Sequence, residues 1–331
     1  MDLSTNYLGL SLRSPLMPGA SPMVDDLDMV KRLEAAGAGA IVMHSLFEEQ
    51  IQGESLATIY HMELYADSSA EAMSYFPRHG DYHLAPDQYL RQISRIKSAV
   101  DTPVIASLNG STSGGWLKYA RLIEEAGADA LELNAYFLAT DPMESGVETE
   151  QRILAVAGEV VQSVKIPVAI KISPFYSALS NFAAQLSGAG ARGLVLFNRF
   201  YQPDIDIDTL EVKPTLQLSD SSELLLRLRW TAILSSQING DIAVSGGVHT
   251  ASDVIKSIMA GARVTQLVSA LLRKGPEHLT VLETELKQWM SDNGYTSLRQ
   301  MRGSMASSRC PDPKAFERAN YLRALHGFVV R

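Results

Sequence analysis

The sequence predicts an α/β chain folded as a (β/α)8, or TIM, barrel with long insertions after strands 2 and 6. Four near-repeats rich in alanine and glycine each end an amphipathic helical pattern and lead into an apolar run; they begin at Ala35, Ala126, Gly188 and Ala260. A second series alternates with the first and starts at Ser14, Thr102, Ile166 and Asp241. Interleaved, the two series give eight strands, the last seven each preceded by a helix, which is the repeat pattern of this barrel.

The eight strands are short apolar runs that mostly follow glycine or proline. They are predicted at 16–20, 40–44, 104–108, 130–134, 168–172, 194–198, 242–245 and 264–268. Helices are predicted at 25–37, 87–100, 115–126, 148–164, 178–186, 221–238, 251–260 and 276–291. The insertions, 45–86 and 199–220, follow carboxyl strand ends, so we expect both to cover the active face. Within the second, alternating Asp and Ile at 204–208 predict a strand with one solvated face.

Length and composition fit one barrel with a short extension. Residues 1–292 are predicted to form the barrel and residues 293–331 a polar tail that packs on it. A net charge of −8 without a Lys/Arg stripe argues against nucleic-acid binding, and a lone cysteine, Cys310, excludes an internal disulfide. The sequence shows no secretory signal and no apolar run of membrane-spanning length, so we expect a cytoplasmic protein that binds no membrane.

The ends of strands 7 and 8 carry the pattern of a phosphate site. Gly246-Gly247 lets the backbone approach a ligand closely, and Thr250 with Asp253 forms a capping box at the start of the next helix. Ser269-Ala270 follows strand 8 and adds a hydroxyl donor. Loops after strands 7 and 8 bind phosphate in many barrels of this class, so these residues predict a phosphate site; the alternative is a tight turn alone.

Polar residues stand at the ends of neighbouring strands 4, 5 and 6. Lys171 lies in an otherwise apolar strand, where a lysine needs a partner or a function. It could balance an anionic cofactor or form a Schiff base, and the alternative is a rim lysine that reaches solvent. Asn134 and Asn198, each a turn or cap residue when taken singly, would complete a polar ring with it at the barrel mouth. His44 and Ser45 end strand 2 and are further candidates, although a lone histidine is often structural. No metal site is predicted.

These strand-end residues resemble the dihydroorotate dehydrogenases, specifically the class 1 branch of FMN-binding (β/α)8 barrels. The resemblance covers about residues 5–290. It rests on Ala20-Ser21, Glu132-Leu133-Asn134, Ala169-Ile170-Lys171, Phe197-Asn198, Gly246-Gly247-Val248, Gln266-Leu267-Val268-Ser269-Ala270 and Leu272-Arg273-Lys274-Gly275-Pro276.

The resemblance implies that the FMN isoalloxazine lies over the barrel mouth. Lys171 would then sit near the flavin N1/O2 edge, where a cation stabilises the anion of the reduced flavin. Asn134 and Asn198 would touch flavin or substrate. Gly247, Ser269 and Ala270 would hold the phosphate. The remaining candidate cofactor contacts are Ala20, Ser21, Ser45 and Gly246.

The chain departs from the family where the family's catalytic base lies. The family's Asn-x-Ser-Cys-Pro-Asn loop corresponds here to Asn134-Ala135-Tyr136-Phe137-Leu138-Ala139, so Phe137 replaces the cysteine and cannot take a proton. His44 replaces a family lysine, and residues 72–80 have no match to the asparagine-rich loop that grips orotate. We therefore predict altered substrate chemistry, with Lys171, His44, Asn134 and Tyr136 as catalytic candidates.

The sequence thus predicts an FMN-dependent oxidoreductase similar to dihydroorotate dehydrogenase, the flavin enzyme of pyrimidine biosynthesis. One alternative is a true dihydroorotate dehydrogenase with a substitute base, such as Tyr136 or Ser107. The others are a flavin-binding subunit without chemistry of its own, and a phosphate-binding lyase or aldolase that uses Lys171. Expected partners are a small-molecule substrate, an electron-transfer partner and a second copy in a homodimer.

Overall fold

The computed structural model describes residues 1–47, 86–109, 113–200, 202–213, 216–316 and 321. Twelve strands lie in these residues: β1 Thr5–Tyr7, β2 Leu10–Leu12, β3 Leu16–Pro18, β4 Ile41–Phe47, β5 Val104–Asn109, β6 Ala130–Asn134, β7 Val168–Ile172, β8 Gly193–Leu196, β9 Asp204–Asp206, β10 Glu211–Lys213, β11 Asp241–Ser245 and β12 Val264–Leu267. Eight of them form one parallel sheet in the order β3-β12-β11-β8-β7-β6-β5-β4. This order is the sequential order of a barrel opened between its first two strands, and each predicted strand has its counterpart.

The gap between β3 and β4 is almost closed. Gly39 N donates a hydrogen bond to Leu16 O across it at 2.8 Å. A Cβ at Gly39 would lie 2.0 Å from Ser14 O, so only glycine lets the two chain segments approach this closely. The sheet therefore curls into the nearly closed (β/α)8 barrel that the alanine-glycine repeats predict.

Helices cover the outside of the barrel. They are α1 Leu27–Ala35, α2 Pro86–Lys97, α3 Ser113–Glu125, α4 Gly146–Ser163, α5 Leu179–Gly188, α6 Leu224–Leu234, α7 Ala251–Ala260, α8 Ser269–Lys274, α9 His278–Asp292 and α10 Leu298–Met301. The predicted capping box of α7 is confirmed: Thr250 and Asp253 each bind the other's backbone. The short helix α8 was not predicted, and it begins at Ser269, directly after the last barrel strand.

The apolar core has two layers, as expected for a barrel. The outer layer packs the helices on the sheet and holds most of the large side chains, such as Trp116, Tyr89 and Phe182. The inner layer fills the barrel with alanine, valine, isoleucine and methionine side chains from the strands. Its members from the barrel strands are Met17, Val42, Ile105, Ala130, Ala169, Val195, Ala243 and Val264, with Ala40 just before β4.

An N-terminal hairpin, β1 and β2, closes the amino end of the barrel. Tyr7, Leu8 and Leu12 are buried against the inner layer. Leu8 N donates to Asp241 Oδ2 at 2.8 Å, and the same carboxylate accepts from Arg263 Nε at 2.8 Å. The hairpin is therefore fastened to the amino end of β11, opposite the carboxyl strand ends where barrels of this class place their active sites.

The two insertions differ in what can be described. Most of the first insertion, residues 48–85, lies outside the described residues. The second contains the antiparallel hairpin β9–β10, so the strand predicted within 204–208 is confirmed as Asp204–Asp206. Ile205 and Ile207 are 68% and 80% exposed, so the prediction that only one face is solvated is wrong.

The C-terminal segment that follows α9 contacts the barrel helices. Leu298 and Met301 of α10 are buried, and Met305 N donates to Met259 O of α7 at 2.8 Å. The division into residues 1–292 and 293–331 stays a prediction. Across the described ranges, no helix combines the length and apolarity that crossing a membrane requires.

Candidate active site

Polar side chains line the inside of the barrel toward its carboxyl end. In the parallel pairing of β6 and β7, Asn134 lies opposite Lys171, and Glu132 lies opposite Ala169. Because side chains alternate along a strand, Asn134, Glu132 and Lys171 all face the interior. Glu132 thus occupies the layer immediately below Lys171, farther from the mouth.

Lys171 is held by a buried polar network. Its ammonium Nζ lies 3.2 Å from Glu132 Oε1 and 3.5 Å from Gln266 Oε1. Gln266 Nε2 donates to Glu132 Oε2 at 2.5 Å, which closes a three-residue ring across β6, β7 and β12. Glu132 and Gln266 are each 1% exposed and Lys171 is 9% exposed. An ammonium has three donors, so within the described part of the chain one donor of Lys171 is left for a ligand.

Two buried polar atoms near the mouth lack partners. They are Oγ of Ser21, a residue that follows β3, and Oδ1 of Asn134, the last residue of β6. Neither atom has a hydrogen-bond partner among the described residues. Such atoms are rare in folded proteins and often mark the place of a ligand or water. Asn198, in contrast, uses its amide Nδ2 to donate to Lys171 O at 3.2 Å, so it ties the loop after β8 to the end of β7.

The residues of the predicted phosphate site lie at the ends of β11 and β12. Gly246 and Gly247 have φ values of 91° and 78°, which favour glycine. A Cβ at Gly247 would lie 2.4 Å from Leu224 N, so this position accepts no side chain. Ser269 Oγ accepts a hydrogen bond from Ser219 N at 3.1 Å, and the part of the chain that the structure describes offers its own hydrogen no acceptor. Ala270, the next residue, is fully buried.

Ser219 and His249 belong to this end of the site and were missed from the sequence. The Ser219 hydroxyl and His249 Nε2 share a hydrogen bond of 3.2 Å, and His249 N donates to Asp253 Oδ2 at 3.0 Å. Burial, followed by the positive charge of Arg273, lowers the pKa of His249 below its ordinary value. The network fastens the end of the second insertion to the loop after β11.

His44 lies at a bulge near the end of β4. The register between β4 and β5 shifts between Val42 and Ser45, a device that re-aims a side chain. His44 Nδ1 lies 2.7 Å from Asp25 Oδ1, and its ring meets Tyr89 edge-on at 5.1 Å. The Nδ1–Asp25 contact is close but not aligned as a hydrogen bond, and Nε2 has no partner among the described residues. Asp25 was not anticipated from the sequence.

Ser45 and Ser107 connect the first strands of the site. Their hydroxyls share a hydrogen bond of 2.8 Å between β4 and β5. The Tyr89 hydroxyl donates to Ser107 O and accepts from Ser107 N, so it replaces strand pairing at the bulge. Burial raises the pKa of Tyr89, which keeps this hydroxyl protonated.

The loop after β6 sends its aromatic side chains in two directions. Tyr136 packs on Phe200 with ring centroids 4.4 Å apart, and Phe175 joins them 5.5 Å from Phe200. Phe137 instead lines a small apolar cavity with Trp116, and the Arg152 guanidinium lies 4.1 Å from its ring centroid. Phe137, which the sequence resemblance matches to the family's cysteine, therefore packs between α3 and α4.

The residues at the mouth fit a flavin mononucleotide. Counting partners within the described ranges only, the mouth offers a cation with one donor left, two buried oxygens without partners, and a glycine-lined turn beside a hydroxyl. This set matches a flat, polar ring with a phosphate tail. Ala20 is partly buried beside the inner layer and next to Ser21. Lys171, Asn134, Ser21, Gly246 and Ser269 thus lie where the sequence predicts them, at carboxyl strand ends.

Comparisons with known proteins agree with this geometry. Residues 2–290 match the family model described as dihydroorotate dehydrogenase. The chain is 28% identical to the catalytic subunit of dihydroorotate dehydrogenase B (NAD(+)) from Thermoplasma acidophilum, over 91% of this chain and 98% of that protein. It is 26% identical to the same subunit from Thermoplasma volcanium, over 91% and 98%. It is 22% identical to the chloroplastic dihydropyrimidine dehydrogenase (NADP(+)) of Arabidopsis thaliana, over 91% of this chain and 76% of that protein.

Proposed function

Because the chain belongs to the dihydroorotate dehydrogenase family, we propose that it is an FMN-dependent oxidoreductase acting on CH–CH groups of a substrate other than dihydroorotate. One observation carries the proposal: the cation at the mouth is retained, while position 137, which the resemblance matches to the family's cysteine base, holds a phenylalanine packed away from the mouth. Lys171 is held by Glu132, and Phe137 is packed away from the mouth against Arg152. The first feature supports flavin binding, and the second supports altered substrate chemistry.

The proposed cofactor contacts follow the strand ends. Lys171, Asn134 and Ser21 would hold the flavin ring, with Ala20, Ser45 and Asn198 beside it. The backbones of Gly246, Gly247 and Ala270 and the hydroxyl of Ser269 would hold the phosphate. When bound, FMN supplies a hydride acceptor, and the protein's own groups must move the accompanying proton.

We assign that proton to His44. Its Nε2 has no partner in the described part of the chain, and Asp25 lies against Nδ1, the arrangement that holds an imidazole with Nε2 free to accept a proton. Catalytic hydrogen bonds are often misaligned before the substrate binds, which accounts for the bent contact between Asp25 and His44. Tyr136 remains the second candidate, since its ring lies on the aromatic side of the loop after β6.

The substrate is proposed to be planar and less polar than orotate. Tyr136, Phe200 and Phe175 form a cluster of aromatic faces beside the strand ends, and Phe175 is 72% exposed. Aromatic faces favour stacking with flat rings and do not recognise carboxylates. This surface therefore favours a flat ring without the charge of orotate.

The test is a visible spectrum of the purified protein followed by anaerobic stopped-flow mixing with dihydroorotate. We expect a yellow protein that contains stoichiometric FMN. The bound flavin should be photoreducible, but its reduction by dihydroorotate should take much longer than seconds. A colourless protein that takes up no FMN would refute flavin chemistry, and inactivation by borohydride with substrate would favour the lyase that uses Lys171. Reduction within seconds would instead restore a true dihydroorotate dehydrogenase with a substitute base. Flavin that photoreduces but is reduced by no compound in a CH–CH substrate screen would favour a non-catalytic subunit.

His44→Gln and Asp25→Asn test the proton assignment once a reducing substrate is found. Loss of a general base should slow flavin reduction by about 10²–10⁴-fold, with a smaller effect for Asp25→Asn. Both variants should keep their FMN. Unchanged rates in His44→Gln would pass the role to Tyr136. A homodimer and a separate electron-transfer partner are also proposed; sedimentation and screening of electron acceptors test them.

A further inference from the structure

We propose that Glu132 and Gln266 are positioning residues that set the field of Lys171 at the barrel mouth and thereby the reduction potential of the flavin. This inference rests on the proposed function, because it concerns the cofactor assigned there. It adds two residues to the site, one from β6 and one from β12.

Glu132 holds the ammonium from below. It lies one layer deeper than Lys171, and its Oε1 is 3.2 Å from Nζ. This contact leaves the ammonium anchored on the side away from the mouth, with a donor available above. Gln266 completes the arrangement, because its Oε1 faces Nζ while its Nε2 donates to Glu132 Oε2 at 2.5 Å. The amide therefore fixes both charged groups in one geometry.

The carboxylate also offsets the charge of the lysine. At 1% exposure Glu132 is shielded from water, so its charge acts at short range almost unscreened. Tyr7, which closes the barrel from the amino end, is affected in the same way: burial raises its pKa and the charge of Glu132 raises it further. A ligand above Lys171 thus meets a cation whose field is partly cancelled from below.

The arrangement predicts the direction in which each substitution changes the reduction potential of the flavin. A stronger positive field stabilises the reduced, anionic flavin relative to the oxidised one. Removing the charge of Glu132 should therefore raise the potential, and removing Lys171 should lower it. If Glu132 had only a structural role, the two substitutions would not be expected to change the potential in opposite directions.

The experiment measures the reduction potential of bound FMN in Glu132→Gln by equilibration with a reference dye. We expect the ratio of affinities for reduced and oxidised FMN to rise at least tenfold, which is about 30 mV for a two-electron couple. Asp241→Asn is the matched control, because Asp241 is also a paired carboxylate, with Arg263 at 2.8 Å, but lies at the amino end of the barrel. The control should leave the potential unchanged.

A second comparison keeps the test valid if Glu132→Gln does not fold. Lys171→Gln and the double variant Lys171→Gln/Glu132→Gln differ only in the charge of Glu132, and the double variant holds no unpaired buried charge. The double variant should have the more positive potential. Equal potentials in both comparisons would overturn this inference while leaving flavin binding intact. A wild-type protein that takes up no FMN would overturn the proposed function itself, and this inference with it.

Discussion

The buried pair of Lys171 and Glu132 should make each charge costly to remove alone. At 3.2 Å and an effective dielectric constant of about 20, the attraction between two unit charges is about 5 kcal/mol. Removing one partner of a buried pair costs about 3–5 kcal/mol, because the other charge is left without compensation. Lys171→Met should therefore lower the free energy of unfolding by about 3–5 kcal/mol.

The assay is urea-induced unfolding of the flavin-free protein, followed by circular dichroism. Flavin is removed because a ligand that binds only the folded state adds its own stabilisation. The double variant Lys171→Met/Glu132→Gln should be more stable than Lys171→Met alone, since replacing both charges with neutral groups removes the uncompensated charge. A loss below about 1 kcal/mol in Lys171→Met would place the interaction in the range of exposed ion pairs and refute the reasoning.

Three further predictions concern other parts of the site. Gly247→Ala should lower the free energy of unfolding in urea by more than the matched variant Gly294→Ala. Both glycines have positive φ, but only at Gly247 would a Cβ lie against backbone atoms. Gly294→Ala should cost about 1–2 kcal/mol. Equal costs would contradict the close approach. Burial lowers the pKa of His249 in the folded protein. Below the ordinary histidine pKa of 6.5, the unfolded chain therefore binds more protons than the folded one, and the free energy of unfolding of the wild type decreases as the pH falls. Between pH 7 and pH 5, the melting temperature of His249→Gln should fall less than that of the wild type. An equal fall in both proteins would contradict this prediction. Phe137→Cys should leave reduction by dihydroorotate slow in stopped flow, because position 137 packs against Arg152 and not at the mouth; a tenfold gain would show otherwise.

The barrel could be predicted from the sequence because its signals are local. Each repeat places a glycine where a helix ends and a strand begins, and the periodicity of apolar residues sets the helices between them. The hairpin β1–β2 and the short helix α8 had no such signal, since three-residue strands and a six-residue helix depend on tertiary packing. The exposed Ile205 of β9 shows the limit of such a pattern: alternation predicts a strand, but not that a second layer of structure covers it.

The candidate site was predictable only one residue at a time. Lys171 was found because a charge interrupts an apolar strand, and Glu132 carries the same signal in Leu131-Glu132-Leu133. Their pairing depends on strand register, which fixes that both face inward at successive layers. Asp25 and His249 had no local signal, because each acquires its role from a contact formed by the fold, with His44 and with Ser219 respectively.

The N-terminal hairpin closes the amino end of the barrel. Tyr7, Leu8 and Leu12 are buried against the inner layer there, so the described residues leave the carboxyl end as the open side of the barrel. The electron donor and the electron acceptor must therefore both reach the site from the carboxyl end of the barrel. If both are diffusible molecules, the first product must depart before the second reactant can dock, and the kinetics would follow a ping-pong pattern with parallel lines in a double-reciprocal plot.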